Sequence, residues 1–477
     1  MRYLLRAEWT KLRTVRGWII GMLLVPLVTV LLGALTASGN QCGIGPGPGL
    51  PVELACTSPI GPGGQAVEDQ FYFVHQSLTG NGSLTVELTS LTGTELQPWS
   101  KAGIMIKASS KPGAAYAAMM QTPSHGIRFQ YDFTGDIAGP AGTGPRWLRL
   151  VRTGDVITGY ASANGAQWAE VGAATLAGLP STAQVGMFAA SPMAAQNSHA
   201  GSTPVATGTF AHLSLPGPWR GTYVDQPRLL PGPAGYQQDG AGFTVTGTGD
   251  IAPVVPPAGT AAPISWTLDG VFAGVIAAIV VGAMFMTAEY RNDLIRVTLA
   301  ASPNRGRVLA AKAIVLGGAT FVAGLIGAGV AVPLGEHLLR HNGNFIAPLS
   351  FITELRVVGG TAAVFALAAV FALALGTVLR TSAAAVSVAI TAVILPYLLA
   401  VVTPAMPVAI ADWLLRITPT AAFAIQQTIP QYPQVANTYY PFFGFYPLAP
   451  LAGFAVLCAW TAAALGLAGY LLRRRDA

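Results

Sequence analysis

Six stretches of this chain are apolar and contain no Asp, Glu, Lys or Arg: residues 17–36, 271–286, 313–334, 357–379, 381–402 and 448–472. A bilayer core of about 30 Å is crossed by about 20 apolar residues in a helix, because only a helix or a closed barrel satisfies its backbone there. Each stretch is therefore predicted to span a membrane as a helix. The second is the shortest and is expected to begin nearer Ile264, taking in Trp266 and Asp269 at its interface. Composition agrees: of 477 residues, 52% are hydrophobic and 10% charged, where an average soluble domain has about 25% charged. The apolar stretches gather at the two ends and leave a middle rich in Gly, Pro and Thr. The predicted architecture is a polytopic α-helical membrane protein of six spans with an inserted all-β ectodomain. Its parts are 1–36 (an interfacial helix and the first span), 37–263 (the β domain) and 264–477 (the remaining spans).

Lys and Arg in short loops resist translocation, so they mark the cytoplasmic side. Arg2, Arg6, Lys11, Arg13 and Arg16 precede the first span. Arg291, Arg296, Arg305, Arg307 and Lys312 lie between the second and third, Arg380 between the fourth and fifth, and Arg473, Arg474 and Arg475 after the sixth. All fall on one side, which places both termini in the cytoplasm and residues 37–263 outside. Leu5, Trp9 and Leu12, at i, i+4 and i+7, are expected to form the apolar face of a helix lying along the inner headgroups. A cleaved signal peptide has no need of such a helix.

The middle carries nine basic and twelve acidic residues, a net of −3 that does not favour nucleic acid as a ligand. Short alternating runs recur at 71–76, 83–88, 102–107, 115–121, 127–133, 147–152, 156–162, 184–189 and 208–213, with Asn81-Gly82, Gly154-Asp155 and Asn164-Gly165 at the breaks. Strands at that spacing make a sandwich or barrel. Cys42 and Cys56 both fall outside the cell, where thiols oxidise, and are expected to form a disulfide worth about 3 kcal/mol in the chain-entropy model.

The chain lacks an engine. No Lys follows a Gly, so the Gly-Lys of a phosphate-wrapping loop is absent. The spans also hold none of the ionisable residues that ion coupling usually employs. His337 and His341 beside Glu336 have no evident third metal ligand. No cofactor or metal is expected, and no enzymatic activity.

Three stretches of the middle, "WSKAGIMIKAS" at 99–109, "RWLRLVRTGDVITGYASANGAQWAEVG" at 146–172 and "VGMFAAS" at 185–191, resemble bacterial concanavalin-like jelly-roll modules. "FTVTGTGDIAP" at 243–253 looks like the opening strand of a similar unit and either closes the sheet or is a remnant of a second copy. Since such folds often bind carbohydrate, the resemblance makes Trp147, Tyr160 and Trp168 candidate glycan contacts. The competing expectation is that these aromatics fill the sandwich core.

"RAEWTKLRTVRGW" at 6–18 and "EYRNDLIRVTLAASPNRGRVLAAK" at 289–312 resemble, in wording and order, permease subunits of type-2 ABC exporters of the actinobacterial kind. The inserted outer domain departs from the short loop of many relatives. The resemblance implies that 289–312 is a coupling loop docking in a groove of a separate cytoplasmic ABC ATPase that binds the ATP. Glu289, Tyr290, Arg291, Leu294, Ile295, Arg296, Thr298 and Leu299 are its expected contacts. It implies a second permease copy, a bed of membrane lipids, outer re-entrant helices within 403–447, and an outward-moving substrate of hydrophobic or amphipathic character. The aromatic run after them, Tyr432 to Tyr446, is expected at the outer headgroups. The rival expectation is a membrane-anchored protein that binds or senses an envelope glycan without transport.

Overall fold

The computed structural model describes residues 1–41, 58–142, 144, 146–193, 204–225, 232–255, 262–291, 294, 298, 304–402, 407–435, 439 and 441–474. Cys42 and Cys56 lie outside them, as do Ile295, Arg296 and Leu299; among the described residues the free cysteine is Cys458. The chain divides into two compact units: Met1–Cys42 with Ala262–Gln431 and Tyr439–Ala477, and Gly43–Ala261 with Tyr432–Thr438.

The first unit is helical. A short amphipathic helix, α1 (Arg2–Thr14), is followed by α2 (Arg16–Gly39), α3 (Val271–Arg291), α4 (Arg305–His341), α5 (Phe351–Leu379), α6 (Ser382–Val393), α7 (Leu395–Val402), α8 (Val408–Ile417) and α9 (Pro450–Arg474). Six candidate spans result, with a 3-10 turn at Ile264–Leu268 leading into α3 and with α6 and α7 forming one span. This is a multi-pass membrane architecture. Pro396 explains the break in the fifth span, since it has no N–H to give the preceding turn. α3 and α5 are buried on most sides. α2 instead exposes Ile20, Leu23, Leu27, Leu31 and Leu35 while burying Val25, Thr29, Gly33 and Ala37 at four-residue spacing. Small residues let backbones approach: a side chain at Gly33 of α2 would run into the Thr267 carbonyl, and one at Gly282 of α3 into that of Ala369.

The second unit is an all-antiparallel β-sandwich. One seven-stranded sheet runs β10 (Ala169–Thr175), β9 (Val156–Ser162), β8 (Arg146–Thr153), β3 (Gly82–Thr94), β12 (Val205–Ala211), β15 (Gly242–Gly247), β14 (Gly235–Asp239). The other runs β13 (Arg220–Val224), β2 (Phe71–Thr79), β11 (Thr182–Ala190), β4 (Lys101–Lys107), β5 (Tyr116–Thr122), β6 (Gly126–Tyr131), β7 (Gly135–Ala138). Leu84, Val86, Leu148, Leu150 and Phe210 of the first meet Ile104, Ile106, Met119, Phe129 and Val185 of the second. A two-stranded ribbon, β1 (Val67–Asp69) with β16 (Ile251–Pro253), contributes Val67 and Ile251 to a smaller core with Phe71, Phe73, Met105, Tyr116 and Phe188. The 243–253 segment therefore closes the fold: β15 pairs with β12 and β14, and β16 with β1. At the first predicted hairpin the left-handed residue is Gly80 (φ 69°), while Gly82 opens β3.

Candidate functional site

At one end of the helical unit four charged side chains from three distant segments meet. Lys312 of α4, fully buried, donates to Glu8 Oε2 of α1 at 2.9 Å and to Glu289 Oε1 of α3 at 2.6 Å. Lys11 donates to the same pair, at 3.2 Å to Glu8 and 2.8 Å to Glu289. Two ammoniums and two carboxylates alternate, so the group is neutral, as burial demands. The Phe285 ring lies 5.0 Å from Lys312 Nζ and meets Trp18 edge-on at 5.6 Å. The cluster fixes α1 against the end of α3 and the start of α4, the two helices that flank segment 289–312.

The same end gathers further basic residues. Asn304 caps α4 by accepting from the Arg307 backbone N–H at 3.2 Å, and Arg305 Nη1 donates to the Leu472 carbonyl at 2.6 Å, closing the C-terminal turn of α9. The Arg380 guanidinium lies 5.4 Å from the Tyr290 ring. Helix α1, the end of α3, the start of α4, Arg380 and the last turn of α9 thus share one face.

The expected contact residues divide in two. Glu289 is 5% exposed and its carboxylate faces inward to Lys11 and Lys312, so it positions the segment rather than presenting itself. Tyr290 is half-buried, Arg291 is exposed, Leu294 is 50% exposed and Thr298 is half-exposed. Helix α1 is also turned from its expected face. Glu8 and Leu12 are buried, Leu5 packs beside them, and Trp9 is 49% exposed. The overlooked signal was Glu8 itself, a carboxylate at i+3 from Leu5 and i−4 from Leu12, in the middle of an apolar face.

At the opposite end, residues 408–426 form α8 and a 3-10 helix, Pro419–Gln426, in which all eight residues are buried. Arg356 of α5 closes that turn, its two Nη groups donating to the Ile425 and Gln427 carbonyls at 2.9 and 2.7 Å. Phe445 and Tyr446 are buried at 1% and 6%, whereas Phe442 is exposed. The aromatic run thus divides between packing and surface and does not form one interfacial belt.

In the sandwich, Leu148, Leu150 and Ile157 take the core side of β8 and β9, which turns Trp147, Arg149 and Tyr160 to the outer face. These aromatics are not sandwich core. Arg149 lies 3.9 Å over the Trp168 ring, whose Nε1 donates to the Gly165 carbonyl at 3.0 Å. Trp147 stacks on His212 at 5.3 Å, and Gly165 (φ 71°) sits so close that a side chain there would lie 2.8 Å from the indole. One face of each tryptophan is covered from within the domain.

No family model matches this chain, and no curated protein matches it. Among solved structures it is similar to a GH43 protein from Bacillus licheniformis (19% identity, TM-score 0.20), covering 32% of this chain and 27% of that one. It is also similar to a scytalido-glutamic peptidase (8% identity, 39% of this chain, 100% of that one, TM-score 0.27). A third likeness is to a functionally unknown protein from Saccharomyces cerevisiae (13% identity, 39% and 76%, TM-score 0.19). The chain spans about a quarter of the GH43 protein's length. At these scores the likenesses carry no functional weight, and the sandwich stands on its own strand register.

Proposed function

We propose that this chain is the transmembrane permease subunit of an ATP-driven exporter of the type-2 ABC class, working with a second permease copy and a separate ATPase that binds the nucleotide. The observation that carries the reading is the assembly at the terminal face. An amphipathic helix is locked by Glu8 and Lys11 to the ends of α3 and α4, between which emerges a segment with Leu294 half in solvent. A span bundle that only held an ectodomain would have no use for a buried four-charge lock beside an exposed apolar side chain. Arg and Lys crowd that face, so by the positive-inside rule it is cytoplasmic, and the sandwich, inserted after one span, is outside. Closure of the ATPases pushes on 289–312, and the lock passes that push to α1, α3 and α4 together. The cargo is hydrophobic or amphipathic and moves outward.

Leu294→Asp with Ile295→Asp tests this, because a charge placed in an apolar docking face costs a few kcal/mol of binding. Membrane insertion should persist, while ATPase copurification falls about 30-fold or more and export stops. Unchanged copurification and export would overturn the reading. A second reading, a membrane-anchored glycan-binding protein without transport, draws on the outward-facing Trp147, Tyr160 and Trp168. It requires retention on envelope glycan that Tyr160→Ala abolishes, and no ATPase partner.

A further inference from the structure

Lys101 opens β4, the middle strand of its seven-stranded sheet, and its side chain is fully buried. Its Nζ donates to Asp250 Oδ1 at 2.5 Å and to the Ile251 carbonyl at 3.3 Å. Asp250 is 4% exposed, and its Oδ1 also accepts from the Ile251 backbone N–H at 2.8 Å. A buried lysine and aspartate in contact form an ion pair and, as a rule, nothing more. Here a third group stands beside them.

Register places that group. In the ribbon, Glu68 of β1 faces Ala252 of β16, and the Gln70 N–H donates to the Asp250 carbonyl at 2.7 Å, so the pairing continues one residue past the strand. Asp250 is therefore the diagonal neighbour of Glu68, about 7 Å away along the backbone grid and within reach of a long side chain. Burial, with the Asp250 charge next, pushes the Glu68 carboxyl up to about 7, while the Lys101 ammonium acts in the opposite sense. Glu68 thus feels both members of the pair and carries a proton for part of the time at neutral pH.

An amine, a carboxyl and a proton-carrying acid, buried together, are the parts of an amide-forming reaction. With Nζ hydrogen-bonded to Oδ1, the Asp250 Cγ lies at most one C–O bond further off, near the separation of about 3–3.5 Å from which a reaction proceeds. The Ile251 carbonyl holds the amine, and the Ile251 N–H faces the oxygen on which negative charge develops when Cγ is attacked. Replacing a buried ion pair by a neutral amide also removes the desolvation cost of two charges.

We propose that Lys101 and Asp250 condense to an amide, a self-made cross-link between β4 and the residue that precedes β16, with Glu68 as the proton carrier. Glu68 gives its proton to Oδ2 and takes one from the Nζ ammonium. The freed amine attacks Cγ and forms the C–N bond. Glu68 then repeats the transfer, the bond from Cγ to Oδ2 breaks, and Oδ2 leaves as water. Two of the three ammonium protons depart with that water and the third stays on the amide nitrogen; Oδ1 becomes the amide carbonyl, and Glu68 ends as it began. Since β16 is the last strand of the sandwich, the link anchors that end to the middle of the sheet.

The test is mass spectrometry of the full chain, taken from membranes into detergent and reduced. The wild type should be lighter than its sequence by one water, trypsin should leave the bond after Lys101 uncut, and the digest should yield a branched peptide joining Lys101 to Asp250. An unmodified Lys101 peptide would overturn the proposal, as would a branched peptide joining Lys107 to Asp69 instead. Lys101→Arg keeps a cation for Asp250 and should restore the missing water. Glu68→Gln keeps the shape of the side chain and should slow linking about 100-fold, read as chain still at full mass when the wild type is entirely linked. Linking at the wild-type rate in that variant would remove Glu68 from the reaction and overturn the mechanism. None of these readouts depends on transport or on an ATPase, so they stand or fall separately from the permease reading.

Discussion

Lys312 in the helical unit and Lys107 in the sandwich are both fully buried and both 2.6 Å from a carboxylate, yet their surroundings differ in kind. Lys312 has two carboxylates, Glu8 and Glu289, which share a second lysine. Lys107 has one, Asp69, with the Ala114 carbonyl at 3.0 Å and the rings of Phe71, Tyr116 and Phe133 within 5.9 Å. Asp69 Oδ1 is buried without a hydrogen bond. Burial accordingly pushes the Asp69 carboxyl up and the Lys107 ammonium down, each towards its neutral form. One carboxylate among aromatic rings does not fully offset the desolvation of an ammonium. A neutral set of four charges distributes that cost, and it ties together segments 278 and 304 residues apart in sequence. The sandwich pair pins the ribbon β1 to β4; the helical set organises a whole face.

The largest expected effect breaks the helical set. Lys312→Met removes the buried ammonium and leaves Glu8 and Glu289 sharing one half-exposed lysine, a net negative group inside the protein. We expect a loss of about 3–5 kcal/mol, read as unfolding of the detergent-solubilised chain, with α1 the first segment to lose hydrogen-exchange protection. A loss below about 1 kcal/mol would show that the four charges are not a stabilising unit.

A smaller effect sharpens the sandwich half. Burial, with Asp250 beside it, pushes the Glu68 carboxyl on β1 up to about 7. Its folded value lies above its unfolded one, so the folded state holds the extra proton and stability falls as pH rises from about 4.5 to 7, then levels off. The full shift is worth at most about 3 kcal/mol. Glu68 keeps part of its surface in solvent, so about 1–2 kcal/mol is expected. Hydrogen-exchange protection of β1 and β16 should be greater at pH 5 than at pH 8, and Glu68→Gln should make the profile shallower, leaving the part due to Asp69, whose carboxyl burial also pushes up. A profile that rises with pH would put the ribbon's stability elsewhere.

The spans were legible because the absence of charge over about 20 residues has one physical solution in a bilayer, and the central strands because alternation has period two. All nine predicted runs overlap observed strands. Pairing at a distance left no such mark. Glu289 reads as an exposed contact in its local setting of Glu-Tyr-Arg, and only Glu8, Lys11 and Lys312 turn it inward. Trp147 shows the matching error of phase: a one-residue shift along β8 exchanges core and outer face, and it is Leu148 and Leu150, not the tryptophan, that find a facing sheet.

The smallest effect is the sharpest test of what grades these lysines. Lys11 makes the same two ion pairs as Lys312, but its side chain is 40% exposed. Burial acts to lower its pKa, and the carboxylates of Glu289 and Glu8 outweigh that and raise it. A lysine with a raised folded value contributes stability that is fully present below about 10.5 and is lost only as pH climbs through the folded value. Between pH 6 and 9 the contribution should therefore be flat. Solvent screens a half-exposed pair, so Lys11→Gln should cost less than about 1 kcal/mol, and added salt should shrink that further. Should Lys11→Gln match Lys312→Met in the same unfolding measurement, partner count alone would govern the cluster, and the contrast drawn from burial would fail.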